Sequence, residues 1–198
     1  MRTSQKFYLP FKRFIGLIGS IVGIVFCFIL LWWWVIPIDA IVTRGHPFFA
    51  RHRIGQNGKP FRLIKFRSMS LDANPHMTSR DDGAYDKITR FGKFLRITSI
   101  DETPQLINIL IGQMSFIGPR PLIDVSNDKI TTDRRKELGV EMIKPGISGW
   151  AQIHNRADLD PIKKADLDYY YLKHFSFLFD TKIFFFTIFR IFGKGKGK

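Results

Sequence analysis

No charged residue interrupts the stretch from Phe14 to Ile36, and no other feature narrows the possible folds so far. About 23 helical residues at 1.5 Å rise reach roughly 34 Å, enough to cross the hydrocarbon core of a bilayer. A signal peptide has a shorter apolar core and a small-residue cleavage site, so this run reads as a lasting membrane segment. Trp32, Trp33 and Trp34 near its end suit interfacial anchors. Cys27 lies inside the run, cannot form an internal disulfide, and reads as inert packing.

Basic residues flank the run on both sides: Arg2, Lys6, Lys12 and Arg13 before it, Arg44, Arg51 and Arg53 after it. Each flank favours the cytoplasmic side. A helix that enters and leaves through one leaflet satisfies both, and this re-entrant course is the expectation; a plain N-terminal anchor is the alternative. Pro37 stands at the end of the run rather than at its middle, where a sharp reversal would need it.

The 198 residues are 45% hydrophobic, enough for one domain with its own core and too apolar for a disordered tail. Lys and Arg number 31 against 17 Asp and Glu, a net charge of +14 that should draw an anionic partner: nucleic acid, a phospholipid surface or a phosphorylated substrate. With twenty Phe and four Trp beside the basic groups, the chain fits a membrane interface at least as well as it fits nucleic acid. No aromatic strand of the kind RNA modules use is present, so nucleic acid is not expected.

Residues Phe48 to Ile54 alternate, Asn57-Gly58 is a preferred hairpin turn, and Pro60 to Met69 supplies a second strand. Lys65 and Arg67 share one face of it, ready for phosphate oxygens or serving as a solvated basic edge. Leu71 to Asp86 reads as a surface loop, in which His76, Asp81 and Asp82 lack metal-ligand spacing. Thr98 to Leu106 allows two helix starts, with Ser99 as N-cap and Glu102 closing a capping box, or with Thr103 as N-cap before Pro104. Either start puts Asp101 and Glu102 at a helix N-terminus, which favours an ionised Asp101 able to act as nucleophile or metal ligand. Ordinary first-turn residues are the alternative. Arg96 precedes the pair closely enough to share an anionic ligand with it.

The helix through Leu106 and Ile111 should end near Gly112. Beyond it Pro119 and Pro121 fix the backbone around Arg120, whose guanidinium suits bidentate phosphate contact. Asp124 to Glu141 reads as a solvated helix. Lys144 to Gln152 is a glycine-punctuated loop suited to close backbone approach to a ligand, with Gly146 and Trp150 as its supports and Arg156 as an extension. Asp160-Pro161 opens a helix through Tyr171 that carries Asp168, a third carboxylate or a plain solvated position. Leu178 to Phe192 gives roughly 22 Å of helix, short for a span, and reads as an interfacial helix ahead of the basic tail Gly193 to Lys198 on anionic lipid.

In order, Lys65-Phe66-Arg67-Ser68-Met69, Asp101-Glu102, Gly118-Pro119-Arg120-Pro121 and Lys144-Pro145-Gly146-Ile147-Ser148-Gly149-Trp150-Ala151-Gln152 resemble the bacterial sugar transferase family, the monotopic phosphoglycosyl transferases. The likeness runs from about Lys12 to Phe192, and the motifs, weak singly, are specific in combination. It implies transfer of a sugar 1-phosphate from a nucleotide diphosphate sugar to polyprenyl phosphate at the cytoplasmic face of the bacterial cytoplasmic membrane, with Mg2+. Carried over, Asp101 is the nucleophile, Glu102 binds Mg2+ with Asp168 as partner, and Lys65, Arg67, Arg96, Arg120 and Arg156 hold phosphates. Two departures stand out: Gly16 replaces an Asp that follows the opening Lys-Arg, and no Ser-Pro breaks the helix near Phe28 to Leu31.

The expected fold is α+β and mainly helical: a membrane helix over 1–44, a catalytic domain over 45–192 with a small β-hairpin and an interfacial C-terminal helix, and a tail over 193–198. A membrane-tethered basic binding module without enzymatic activity, and a phosphohydrolase with the same aspartyl intermediate, are the competing functions.

Overall fold

The computed structural model describes residues 1–73, 83, 85–123, 126–154 and 160–193, so Arg156, Asp124, His76, Asp81, Asp82 and the tail beyond Gly193 lie outside the described residues. Helix α1 (Thr3–Cys27), a π turn (Phe28–Trp32) and α2 (Trp33–Val42) follow one another without a break. The resulting 40-residue helix is long and apolar enough to cross a membrane, by length and composition. Pro37 is absorbed inside α2, and the π turn occupies the stretch where the sequence lacks Ser-Pro.

One stripe of this helix packs on the rest of the chain. Gly16, Ser20, Cys27, Trp32, Val35 and Asp39 are buried, and their spacing follows α-helical repeats except for the five-residue step from Cys27 to Trp32. The extra residue of the π turn makes that step and keeps the stripe in phase. Small residues bring the helix close: a Cβ at Gly19 would meet the Phe116 ring at 2.8 Å, and one at Gly23 would meet Leu106 at 3.1 Å. The other face, including Phe14, Ile18, Val22, Val25 and Ile29, is exposed. Cys27, Trp32 and Val35 join Phe61, Leu63, Phe66, Leu95, Ile100 and Ile109 in one core. The long helix therefore shares a core with strands and helices C-terminal to it.

Strands β1 (Phe48–Ile54) and β2 (Pro60–Phe66) pair antiparallel from Phe48 opposite Phe66 to Ile54 opposite Pro60. Asn57 and Gly58 take positive φ, 56° and 72°, and Lys59 closes the turn by donating to the Gln56 carbonyl. The connection runs over five residues, Gly55 to Lys59, longer than the two expected, and Gly55 N–H donates to the Lys59 carbonyl across its base.

Helix α3 (Arg90–Ile97) is capped by Thr89, whose hydroxyl accepts from Gly92 N–H. Helix α4 (Gln105–Leu110) ends before Gly112, which turns the chain at φ 89°. Within its apolar sequence Asn108 is fully buried and polar. Its Oδ1 accepts from Ile64 N–H at 3.1 Å, and its Nδ2 donates to the Arg62 carbonyl at 2.7 Å and to Gln113 Oε1 at 2.8 Å. This side chain fastens α4 to β2. Asn108→Leu should strand buried backbone groups and lower stability by about 2 kcal/mol, measurable as an earlier midpoint in denaturant at unchanged slope.

Strand β3 (Ser115–Ile117) runs parallel to β4 (Gly146–Ser148). The glycine-punctuated segment expected as a loop thus contains β4 and a short helix, α6 (Trp150–Ile153). Its glycines do permit close backbone approach, but to protein: a Cβ at Gly146 would lie 2.1 Å from Gly118 N, and one at Gly149 would lie 2.2 Å from Gly118 O. Helix α5 (Ser126–Glu137) lies between β3 and β4 in the chain, and α7 (Pro161–His174), capped by the Asp160 carboxylate, follows α6. In α8 (Phe177–Gly193) Phe184, Phe185, Phe186 and Phe189 are exposed. Asp180 of α8 accepts from Tyr8, Lys12 and Tyr171, which ties both ends of the chain together.

Candidate active site

Between α3 and α4 the chain reverses at Ser99, in the left-handed region at φ 59°, and then makes a 3-10 turn over Ile100–Glu102. Ser99 stands as the N-cap of this turn, as in the first anticipated start, but without a side-chain capping bond, and α4 is a separate helix with Pro104 rather than Thr103 as its cap. Thr103 fixes the join: its hydroxyl donates to the Ile100 carbonyl and accepts from Trp32 Nε1, both at 2.9 Å. The membrane-type helix therefore contacts the turn that carries the carboxylates.

Asp101 is buried and Glu102 half-buried. Lys65, reaching from β2, places its Nζ 2.8 Å from Glu102 Oε1 and 3.8 Å from Asp101 Oδ2. The Arg120 guanidinium approaches the same Glu102 oxygen at 3.4 Å. Glu102 is thus gripped by two cations while Asp101 stays more loosely held. Burial pushes the Asp101 carboxyl above its usual range and Glu102 reinforces the rise, while Lys65, Arg96 and Arg120 oppose it. The helix-end argument anticipated the reverse; burial outweighs it. Arg96 donates Nε–H to Ser68 Oγ at 2.7 Å. Burial disfavours its charge, and the nearby Asp101 favours it.

The main chain around Arg120 is fastened at three points. Gly146 N–H donates to the Pro119 carbonyl, Arg135 Nη1 to the Arg120 carbonyl, and Ile54 N–H to the Leu122 carbonyl. Arg135 also forks onto Asp168 Oδ2 through Nε and Nη2. Asp168 and Arg135 are both buried, so this pair holds the Arg120 turn from behind.

Lys65, Arg96 and Arg120 therefore gather about Asp101 and Glu102 as the sequence suggested, with Pro119, Pro121 and Gly146 supporting the turn. Three residues lie elsewhere. Arg67 donates to the His46 carbonyl and stacks on Phe49, because the strand ends at Phe66 and the chain turns away. Asp168 accepts from Arg135 and so stands behind the Arg120 turn. Trp150 packs against Tyr170, Phe179 and His154. Sequence reasoning missed Asn108 and Arg135; a lone Asn in an apolar helical run was a signal for the first, while Arg135 looked like any charge on a solvated helix.

A family model described as bacterial sugar transferase matches residues 7–194. The chain belongs to the bacterial sugar transferase family. Among relatives of this sugar transferase, the Escherichia coli (strain K12) UDP-glucose:undecaprenyl-phosphate glucose-1-phosphate transferase is 38% identical over 151 residues, 74% of this chain and 32% of the relative. The Streptococcus agalactiae serotype III (strain NEM316) galactosyl transferase CpsE is 37% identical over 207 residues, 93% and 44%. The Aeromonas hydrophila UDP-N-acetylgalactosamine-undecaprenyl-phosphate N-acetylgalactosaminephosphotransferase is 38% identical over 147 residues, 73% and 35%. The sugar transferase chain thus spans less than half the length of these relatives, whose names carry different sugars.

Proposed function

We propose that this chain transfers a sugar 1-phosphate from a nucleotide diphosphate sugar, with UDP as the nucleotide, to polyprenyl (undecaprenyl) phosphate, through a covalent intermediate on Asp101. It would act at the cytoplasmic face of the bacterial cytoplasmic membrane, in the first step of a surface glycan pathway. The observation that carries the reading is Glu102 gripped by Lys65 and Arg120 beside a buried, more loosely held Asp101. A carboxylate approaching a diphosphate is repelled until nearby cations offset the charge, and these cations converge there.

In the first half-reaction an Asp101 oxygen attacks the phosphorus that bears the sugar. The bond from that phosphorus to the bridging oxygen breaks, and its electron pair leaves with the nucleoside monophosphate. In the second, an oxygen of polyprenyl phosphate attacks the aspartyl phosphosugar, freeing the Asp101 carboxylate and forming the lipid diphosphate sugar. Lys65 and Arg120 would exchange Glu102 for donor phosphate oxygens, and Arg96 would steady the charge on Asp101. The donor set fits Mg2+ in part: Glu102 with Asp101 offers the one or two carboxylates that this ion takes alongside substrate phosphates and water. Bound by Glu102, it would neutralise diphosphate charge.

Purified protein given labelled nucleotide diphosphate sugars, polyprenyl phosphate and Mg2+ should release nucleoside monophosphate and form a lipid-linked product with at least one donor. Free sugar phosphate as the sole product would replace this reading with a phosphohydrolase. Arg120→Lys loses the two-pronged guanidinium and should lower kcat/KM by about 10–100-fold, chiefly through donor KM.

A further inference from the structure

A second cluster of cations lies at the other end of α4, away from the carboxylate pair. A cavity of about 350 Å³ opens between α1 and the segments around Ser115 and Lys144. Lys6, Lys12, Arg13 and Lys144 line it. Arg13 uses two of its N–H groups on the Ile109 and Leu110 carbonyls, where α4 ends, which leaves three donors. Lys12 is paired with Asp180. Lys144, in contrast, makes no hydrogen bond or ion pair among the described residues. The place where a side chain would start at Gly112 is 3.4 Å from Arg13 Nη2 and 3.6 Å from Lys144 Nζ, so the two cations converge over a bare glycine. Burial and the Arg13 charge both push the Lys144 ammonium down. Two like charges held together with no counterion among the described residues favour an anion between them.

Leu9, Pro10, Met114, Ile143 and Phe175 give the wall its apolar part, beside the polar Gln56, Ser115 and Tyr171. On the same turns of α1, Phe7, Phe11 and Phe14 are exposed, so the cavity adjoins the outward apolar face. A phosphate carried on hydrocarbon chains matches this combination better than a free ion does. Roughly 9 Å of α4 separates the cavity from the Asp101 turn, too far for a phosphate held here to react there. We propose that Arg13 and Lys144 bind the headgroup phosphate of one anionic bilayer phospholipid, whose acyl chains leave past Leu9 to the exposed face of α1. The proposal rests on the membrane-bound reading but not on the chemistry of Asp101.

Full-length protein in neutral detergent, both as wild type and as Asp101→Asn, would be titrated with short-chain phosphatidylglycerol, with phosphatidylcholine of equal chain length and with inorganic phosphate. Bound lipid is counted by native mass spectrometry. Wild type and Asp101→Asn should both retain phosphatidylglycerol about tenfold more strongly than phosphatidylcholine, and Lys144→Glu should abolish that preference. Lys129→Glu, the same charge change at an exposed position on α5, should keep it. Unliganded Lys144→Glu should melt no lower than wild type, because the new carboxylate pairs with Arg13, so lost binding would not be lost folding. Equal retention of the two lipids, an unchanged preference in Lys144→Glu, or displacement by inorganic phosphate at matching concentration would overturn the proposal. Polyprenyl phosphate retained in preference to phosphatidylglycerol would also overturn it, reassigning the cavity to the acceptor. Binding of phosphatidylglycerol in the absence of any transferase turnover would uphold this site while the proposed reaction fails.

Discussion

Asp101→Asn is expected to abolish the trapped phosphosugar adduct and to lower transfer by a factor on the order of 10⁴ or more, as loss of a covalent nucleophile does. The same variant should melt higher than wild type at neutral pH. Burial raises the Asp101 pKa in the folded chain, so between its unfolded and folded values the native state binds the proton more tightly. Stability therefore falls as pH rises through that window, and above it the full cost of a buried charge is present. Asn carries no such cost. The difference in melting temperature should shrink on acidification and vanish below the ordinary aspartate range. Activity should run the other way, since attack needs the carboxylate: the acid limb of kcat/KM should lie above the range of an exposed aspartate. A variant with appreciable turnover and a labelled adduct would remove Asp101 from the nucleophile's role.

Asp168→Ala is expected to cost about 3–5 kcal/mol, the range for breaking a buried ion pair from one side. The Arg135 guanidinium would be left buried without the carboxylate it forks onto. Activity should fall as well, because Arg135 also holds the Arg120 carbonyl and thereby the guanidinium opposite Glu102. Replacing both members with apolar residues, Arg135→Met with Asp168→Leu, should recover much of the stability and little of the activity. Denaturant unfolding of the two variants beside steady-state kinetics would separate the effects. If Asp168 acted on a metal instead, Asp168→Ala would change the Mg2+ dependence of transfer and leave folding near wild type.

Much of this fold could be read where short-range rules act alone. The Asn57-Gly58 turn, the Asp160-Pro161 helix start and the Gly112 helix end are each set by a few neighbouring dihedrals, and each appears near its expected place. A helix apolar enough to cross a membrane is present over Thr3–Val42, within the expected 1–44, and its polar first turns extend it beyond the apolar run and pack through Gln5 and Lys12. Arg96 was legible from its nearness in sequence to the carboxylate pair, and Lys65 and Arg120, 37 and 18 positions from Glu102, from the motifs that they occupy. What stayed hidden depends on distant contacts. Arg67 and Lys65 alternate identically in sequence, but only Lys65 is still on the strand when it reaches the turn. Arg135 and Asp168, 33 positions apart, become a pair only when α5 lies on α7. Gly146 showed its need for close approach, though not that the approaching group is the main chain at Gly118.

The π turn in the long helix acts as a phase adjuster between two rulers. Residues before it and after it each keep ordinary helical spacing, and the added residue aligns the two scales on one buried stripe. Inserting one further residue there, after Leu30, would turn everything from Trp32 to Val42 by about 100°. Trp32 would leave Thr103, Asp39 would swing towards the outer apolar face, and the carboxylate turn would lose its neighbour, although no residue of the candidate site had been touched. The length of this helix, counted to the residue, is therefore part of the specification of the site.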